Sequence, residues 1–310
     1  MKTILITGGA GFIGQNLVKH FQKKYKVLII DNLSSKGIKK NYLFDYKNVN
    51  FINKNISNFS NILKGLGNIK IDYLIHAAAH FANENSIINP DKDLKTNILG
   101  TLNMLKYSKK KKVKKFIYLS SSCVYGERSF AKEKDFLNPV ETPYAISKYS
   151  GELYVQFFKD FHNLNASIVR VFNTYGPGEL NHKYRNVIPR FIDNALKNKN
   201  LTITGTGEET RDFTFIDDLV KILDLLIKSK NIPDVINSCT GKKTKIKVLA
   251  NLIVKLTKSR SKIKFFKIRK WDRVNNRLGS TKKINKFFHI RKFTQLKDGL
   301  RKTIEWYKDY

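Results

Sequence analysis

Cysteine is scarce: the 310-residue chain has two, Cys123 and Cys239. That excludes a disulfide framework and fits a reducing compartment. Long apolar runs are missing as well. None approaches the roughly 20 residues that cross a bilayer, so no membrane partner is expected. Met1-Lys2 leads at once into the apolar ILIT and then into glycines. A signal peptide needs a longer apolar stretch and a cleavage site, so a soluble, cytoplasmic protein is expected. No internal repeat or low-complexity linker divides the chain.

Acidic residues are few. There are 25 Asp+Glu against 59 Lys+Arg, a formal net charge of +34. Such a balance raises nucleic acid as a partner. Hydrophobic residues at 41% and aromatics at 12% exclude a disordered basic tail. The basic residues are spread along the whole chain, and the densest run, Lys109 to Lys115, has no aromatic side chain to stack on a base. A solvated surface bias therefore stands ahead of a nucleic-acid role.

What is present is an alternation of strand and helix patterns. KTILIT (2–7), YKVLIID (25–31), VNFIN (49–53), IDYLIHAA (71–78), KFIYLSSS (115–122) and ASIVRVFN (166–173) read as buried strands. Helical spacing fills 12–25, 96–108 and 144–162. Strands separated by helices imply βαβ units and a doubly wound, mostly parallel α/β sheet of Rossmann type. On 144–162, Tyr149, Leu153, Phe157 and Phe161 form one stripe, widened by Tyr154 and Phe158, which serves both core and a subunit interface. After 173 the texture becomes irregular. The expected division is a dinucleotide-binding domain over 1–173 and a smaller substrate-binding α/β part over 174–310, with helix 215–229 returning to the sheet.

The first strand runs into Gly8-Gly9-Ala10-Gly11-Phe12-Ile13-Gly14, which contains G-x-G-x-x-G between strand and helix. Glycines there permit a tight turn and let backbone N–H groups reach a pyrophosphate at a helix N-terminus. The next strand ends in Asp31. A carboxylate at that point accepts from both ribose hydroxyls and repels a 2′-phosphate, so NAD is expected rather than NADP. Further on, Tyr144 and Lys148 share a helix face as Y-x-x-x-K. A phenol with pKa near 10 is a poor base, but a neighbouring ammonium and a nicotinium cation stabilise its phenolate. Ser120-Ser121-Ser122 ends a strand where ligands bind in such sheets.

TGGAGFIG (7–14), DNLSS (31–35), HAAA (76–79), SSSCVYG (120–126), YAISK (144–148), RVFNTYGPG (170–178) and TRDFTFIDDL (210–219) occur in an order that resembles the extended short-chain dehydrogenase/reductase family, specifically its NAD-dependent nucleotide-sugar epimerase/dehydratase branch. The resemblance spans essentially the whole chain, with GLRKTIEWY (299–307) at its end. It implies that Ser121 hydrogen-bonds the reacting hydroxyl, that Tyr144 is the base, and that Lys148 holds the nicotinamide ribose and tunes Tyr144. It places Gly8, Gly11, Phe12, Ile13, Gly14, Ala77 and Ala78 along the cofactor, with Asp31, Asn32 and Ser34 at the adenosine ribose. Asn97 orients the Lys148 side or is a satisfied buried amide. Asn55, before Ile56 near the adenine, replaces a usual acidic residue, which alters the polarity there.

Members that dehydrate or decarboxylate the sugar resemble one another in carrying acidic residues after the serine. This chain has Ser122 and Cys123, so dehydration lacks its general acid. Epimerisation remains, most plausibly at carbon 4 of a UDP-hexose or UDP-N-acetylhexosamine. The alternative is a nucleotide-sugar oxidoreductase that exchanges its cofactor. A nucleic-acid-binding protein on the same scaffold is the third reading, weakened by the presence of Ser121, Tyr144 and Lys148 together.

By the same resemblance Asn173, Asn186, Val187, Arg211 and Arg269 hold the substrate diphosphate and Asp272 a nucleotide ribose. Arg211 is preferred, because Arg269 reads equally as a solvated surface charge. His80 and Asn83 line the sugar pocket with Ser121 and Ser122, although His80 also reads as an ordinary loop residue. Thr204 stands where an aromatic residue often lies near the base, which weakens uracil. Asn276 is small at a gate position, so an N-acetyl group is tolerated. No metal is expected. The resemblance pairs the 96–110 and 144–162 helices in a homodimer.

Overall fold

Apolar, β-branched runs supply seven strands: β1 (Thr3–Thr7), β2 (Lys26–Asp31), β3 (Val49–Asn53), β4 (Tyr73–His76), β5 (Lys115–Ser121), β6 (Ala166–Val171) and β7 (Val235–Ser238). In this computed structural model, which describes residues 1–35, 46–184, 186–269 and 271–310, they form one sheet in the order β7-β6-β5-β4-β1-β2-β3. Every neighbouring pair is parallel. Parallel strands need helical crossovers, which cover both faces of the sheet.

Side-chain alternation along the strands sorts the core into two layers. Ile4, Ile6, Val27 and Ile29 pack with Leu17, Phe21, Leu219 and Leu223 from the Phe12–Phe21 and Ile216–Lys228 helices. Leu5, Leu28 and Ile30 face the other way, toward Ile62, Met104, Leu105 and Phe158. Each fully buried side chain of this size contributes about 1.5–3 kcal/mol.

Several expected elements differ in extent. The 12–25 helix stops at Phe21, before Tyr25. The 71–78 strand shortens to Tyr73–His76, freeing Ala77 and Ala78 for a loop. The 166–173 strand ends at Val171, and Asn173–Tyr175 joins a separate sheet with Thr210–Phe215 and Lys243–Lys245. The 96–108 segment begins as a π-helical turn, Leu94–Leu99, before Gly100–Lys110 continues as α-helix. Strand β7, VINS, was not foreseen, because four residues with two polar ones carry no clear period.

The stripe on the Pro143–His162 helix serves the core only through Phe158, which is buried, and Tyr149, which packs against it. Leu153, Phe157 and Phe161 are 55%, 44% and 72% exposed. The inward face is Tyr144, Ser147, Lys148, Gly151, Glu152, Val155 and Phe158. The polar half of the helix is buried because it carries the site.

A small part of the positive charge sits at helix C-termini. The helices end in Lys19 and His20, Lys64, Lys109 and Lys110, Lys159 and His162, and Lys228. In βαβ units those ends lie by the strand N-termini, where cations complement the helix dipole. Lys115 is an inside version. Its Nζ donates to the carbonyls of Leu226 (3.0 Å) and Ile227 (2.7 Å) at the end of the Ile216–Lys228 helix. Among the described residues no helix is long and apolar enough to cross a membrane, and no cluster of His, Cys, Asp and Glu is suited to a metal.

Candidate active site

The turn after β1 is shaped by steric need. A Cβ on Gly14 would lie 2.1 Å from the Gly8 carbonyl oxygen, so the helix can start here only without one. Gly8 adopts φ 70° against Ala78, a conformation that favours glycine. Gly11 differs: a Cβ there would meet nothing nearer than the Gly8 oxygen at 3.3 Å. Its open side marks where a ligand can approach. Gly11 is also the N-cap of the Phe12–Phe21 helix, with no side chain capping the first N–H groups. Uncapped N–H groups and the positive dipole end suit a pyrophosphate.

Asp31 closes the far side of this turn. Its Oδ2 accepts from the Ala10 N–H at 3.0 Å and its Oδ1 from the Leu33 N–H at 2.7 Å. Burial pushes its pKa up, while these two bonds hold it down. Two oxygens offer about four acceptor sites, so capacity remains for a diol. Asn32 and Ser34 are exposed beside it, with the Asn32 side chain accepting from the Ser34 N–H at 3.1 Å. Asn55 accepts from the Ser57 N–H at 2.9 Å. Ile56 is a core residue and its carbonyl is held by Asn103 at 3.0 Å. Ala78 lies over the turn, its N–H donating to Thr7 Oγ1 at 3.2 Å. These groups fit a dinucleotide with free ribose hydroxyls.

β5 delivers Ser121 to the carboxyl edge of the sheet. Thr142 caps the Pro143–His162 helix by accepting from the Ala145 N–H at 3.3 Å, and Pro143 starts it. That fixes Tyr144 in the first turn, where its backbone N–H donates to Ser86 Oγ at 3.0 Å and its phenol is near enough to Ser121 to feel it. Burial drives the Tyr144 phenol well above its ordinary range, with the nearby Cys123 adding to the rise. Lys148, one turn on, is 3% exposed. Burial lowers its pKa to about 7, against the raising effect of Glu152 and Asp93. Its Nζ lies 4.3 Å from the centroid of the Tyr118 ring.

Asn97 is satisfied and also organises the site. Its Nδ2 lies 2.8 Å from Asp93 Oδ1, 3.0 Å from Ser147 Oγ and 3.2 Å from the His80 carbonyl, and its Oδ1 accepts from the His80 N–H at 2.8 Å. It therefore reaches Lys148 through the neighbouring Ser147 rather than directly. His80 is held by Asn85, whose amide donates to Nε2 at 3.0 Å. Asn83 accepts from Thr142 Oγ1 at 3.0 Å, and the Phe81 ring meets Tyr144 edge-on at 6.0 Å. Ser122 is buried in the short turn that follows β5.

The second half gathers some of the remaining residues. Arg211 Nη2 lies 3.2 Å from Asp272 Oδ1, and Nη1 donates to the carbonyls of Thr210 (3.0 Å) and Asn275 (3.4 Å). Asn173 Nδ2 donates to the Asp212 carbonyl at 3.2 Å. Asn186 Nδ2 donates to Glu179 at 3.1 Å, and Asn186 is the N-cap of the Val187–Leu196 helix. The Arg269 guanidinium rests 5.4 Å from the Trp271 ring. Beside Arg211 opens a cleft of about 620 Å³ walled by Phe266, Ile268, Asn275 and Asn276.

A family model described as the NAD dependent epimerase/dehydratase family matches residues 4–239. The chain belongs to this family. The structure is similar to UDP-glucose 4-epimerase from Thermotoga maritima, solved with UDP-glucose, at 32% identity over 99% of both chains and a TM-score of 0.93. It is similar to a UDP-N-acetylglucosamine 4-epimerase from Methanobrevibacter ruminantium M1, solved with UDP-N-acetylmuramic acid, at 32% identity, 99% and 98% coverage and a TM-score of 0.91. The sequence is also 32% identical, over 99% of this chain and 98% of the other, to a UDP-N-acetyl-alpha-D-glucosaminuronate decarboxylase from Bacillus cytotoxicus. Overall similarity in this NAD-dependent family thus spans several reactions, and the site has to choose among them.

Beneath the site of this epimerase/dehydratase family member lies a buried network that motif reading missed. Ser120 Oγ donates to Glu152 Oε1 at 2.5 Å, and Arg170 pairs with Glu152 at 2.8 Å. Arg170 also donates to the Tyr125 hydroxyl at 2.9 Å, which donates to Asn237 at 2.7 Å. A Glu and an Arg at inward positions of a helix and a strand were the available signal. Asp212 is a second buried carboxylate. It accepts from Thr240 Oγ1 (2.6 Å) and from the N–H groups of Thr240 (2.9 Å) and Gly241 (3.0 Å), pinning the loop after β7.

Proposed function

We propose that the protein is a nucleotide-sugar 4-epimerase acting on a UDP-hexose or UDP-N-acetylhexosamine. The observation that carries this reading is the apposition of Ser121, the Tyr144 phenol and buried Lys148 at the carboxyl edge of the sheet, with Ser122 and Cys123 following in place of a carboxylic acid. Bound NAD would accept hydride from the sugar carbon and return it to the opposite face. Ser121 would hold the sugar hydroxyl, and Tyr144 would take its proton and later give it back. The Lys148 ammonium would stabilise the phenolate, offsetting the burial that now disfavours it. Gly11, Asp31 and the first N–H groups of the Phe12–Phe21 helix would hold NAD. Arg211, Asp272 and the neighbouring cleft would hold the nucleotide.

The exposed Leu94, Leu99, Leu153, Phe157 and Phe161 supply an apolar face for a homodimer built on the 94–110 and 143–162 helices. A monomer in sedimentation at micromolar concentration would contradict that part.

The function is tested by NMR with UDP-, GDP-, CDP- and dTDP-sugars and no added cofactor. Epimer formation from a UDP-sugar is the expected result. Turnover that requires added NAD(P)(H) would assign an oxidoreductase instead, and salt-sensitive RNA binding without sugar turnover would overturn both.

A further inference from the structure

One buried histidine takes no part in the chemistry proposed for the site. His76 ends β4 and is 1% exposed. Its Nδ1 lies 2.7 Å from Thr7 Oγ1 and its Nε2 lies 3.0 Å from Thr101 Oγ1. A hydroxyl both donates and accepts, so these two contacts alone do not place the ring proton. The next partners along the chain do. Thr101 has one hydroxyl proton, and it goes to the Asn97 carbonyl at 2.6 Å. Its oxygen therefore accepts from His76, which puts the ring proton on Nε2. Nδ1 is then bare and accepts from Thr7, whose oxygen accepts from the Ala78 N–H at 3.2 Å. Burial keeps the ring neutral by lowering its pKa to about 3, and Lys148 adds to the fall. Five groups thus form one directed chain, from the Ala78 N–H to the Asn97 carbonyl.

The chain joins two parts of the site that come from distant segments. At one end Ala78 packs on the glycine turn, where a Cβ on Gly8 would lie 2.7 Å from the Ala78 nitrogen. At the other, Asn97 lies in the π-helical turn Leu94–Leu99, a geometry frequent at functional sites. Its side chain lies 3.0 Å from the hydroxyl of Ser147, the neighbour of Lys148. Tyr118, stacked on the His76 ring at 5.8 Å, donates to the Lys148 carbonyl at 3.3 Å. We propose that His76, as its neutral Nε2–H tautomer, is a positioning residue that sets the spacing between the cofactor turn and Lys148 for hydride transfer. The inference rests on the nucleotide-sugar reading above.

The first test is nitrogen NMR of NAD-loaded wild-type protein with isotope-labelled histidine at neutral pH. The His76 ring should be protonated at Nε2 and bare at Nδ1. A proton on Nδ1, alone or on both nitrogens, overturns the inference. The second test is Thr101→Val, which keeps the shape and removes the acceptor of the Nε2 proton. With melting curves matching wild type, kcat should fall by roughly tenfold or more, the size of effect that a small misplacement produces. KM for the UDP-sugar and retention of NAD should stay as in wild type. The isotope effect with sugar deuterated at carbon 4 should rise, because hydride transfer itself is slowed. Thr101→Ser restores the hydroxyl and should recover kcat. A merely structural residue would lower the melting temperature without raising that isotope effect. If Thr101→Val does not fold, Thr7→Val takes its place with the same expectation for kcat and the isotope effect, and the tautomer decides if neither folds. Wild-type kcat in the folded variant overturns this inference alone. Wild type that turns over no UDP-sugar overturns the nucleotide-sugar reading and the positioning role with it, whatever the tautomer.

Discussion

Asp31 reaches back over the glycine turn and takes the Ala10 N–H at 3.0 Å. One carboxylate thus fixes the end of β2 against the loop after β1, at the position proposed for the adenosine ribose. Asp31→Asn keeps an acceptor but removes the charge. NAD affinity should fall by about tenfold, since hydrogen bonds to charged groups are worth about 1.5–3 kcal/mol. The preference over NADP should shrink further, because the repulsion of a 2′-phosphate is gone. Titration calorimetry with both dinucleotides checks this, and unchanged discrimination would remove Asp31 from the ribose site.

Gly11 and Gly14 should fail differently. A Cβ on Gly14 collides with the Gly8 oxygen at 2.1 Å, so Gly14→Ala should lower the melting temperature and abolish NAD binding. Gly11→Ala meets that oxygen only at 3.3 Å, so the fold should survive while the pyrophosphate is kept out. Melting curves and NAD titrations of both variants separate the two effects.

Lys148 makes a prediction about pH. Its native pKa is lowered to about 7, below an unfolded value of 10.5. The cost of burying its charge is fully present below pH 7 and is relieved as pH rises toward 10.5. In that window the unfolded state binds more protons, so this group alone makes stability rise with pH, by at most about 1.4 kcal/mol per unit. Lys148→Met should be the more stable protein at pH 7, and its advantage should shrink by pH 9. Urea unfolding of cofactor-free protein at both values measures it. A constant difference would mean that Lys148 is not desolvated.

Glu152 and Arg170 are 3% and 5% exposed at the side chain and 2.8 Å apart. Removing one partner strands the other charge. Arg170→Met should cost about 3–5 kcal/mol, and it should also loosen Ser120 and Tyr125. Denaturant midpoints test this, and a loss below 1 kcal/mol would show the pair to be well hydrated.

Much of the fold was legible because the strands are long apolar runs and the nucleotide turn is dictated by sterics that glycine alone satisfies. The Rossmann-type sheet and the glycine turn therefore match the expectation. Strand β7 was not legible, because Asn237 and Ser238 are buried polar residues whose partners, Tyr125 and Glu133 for Asn237, come from far along the chain. The 143–162 helix misled for the opposite reason. Its polar face points inward with Tyr144, Lys148 and Glu152, so Leu153, Phe157 and Phe161 of its apolar stripe are left outside. The +34 charge reads as surface bias spread along the chain.

The central claim is reversible oxidation at carbon 4 by retained NAD, with Tyr144 as the base. The most direct measurement is NMR of UDP-glucose deuterated at carbon 4, incubated with the protein in ordinary water without added cofactor. The account predicts UDP-galactose that keeps the deuterium at carbon 4, formed by wild type and absent with Tyr144→Phe although NAD remains bound. Loss of the deuterium to solvent, or unimpaired turnover by Tyr144→Phe, would contradict it.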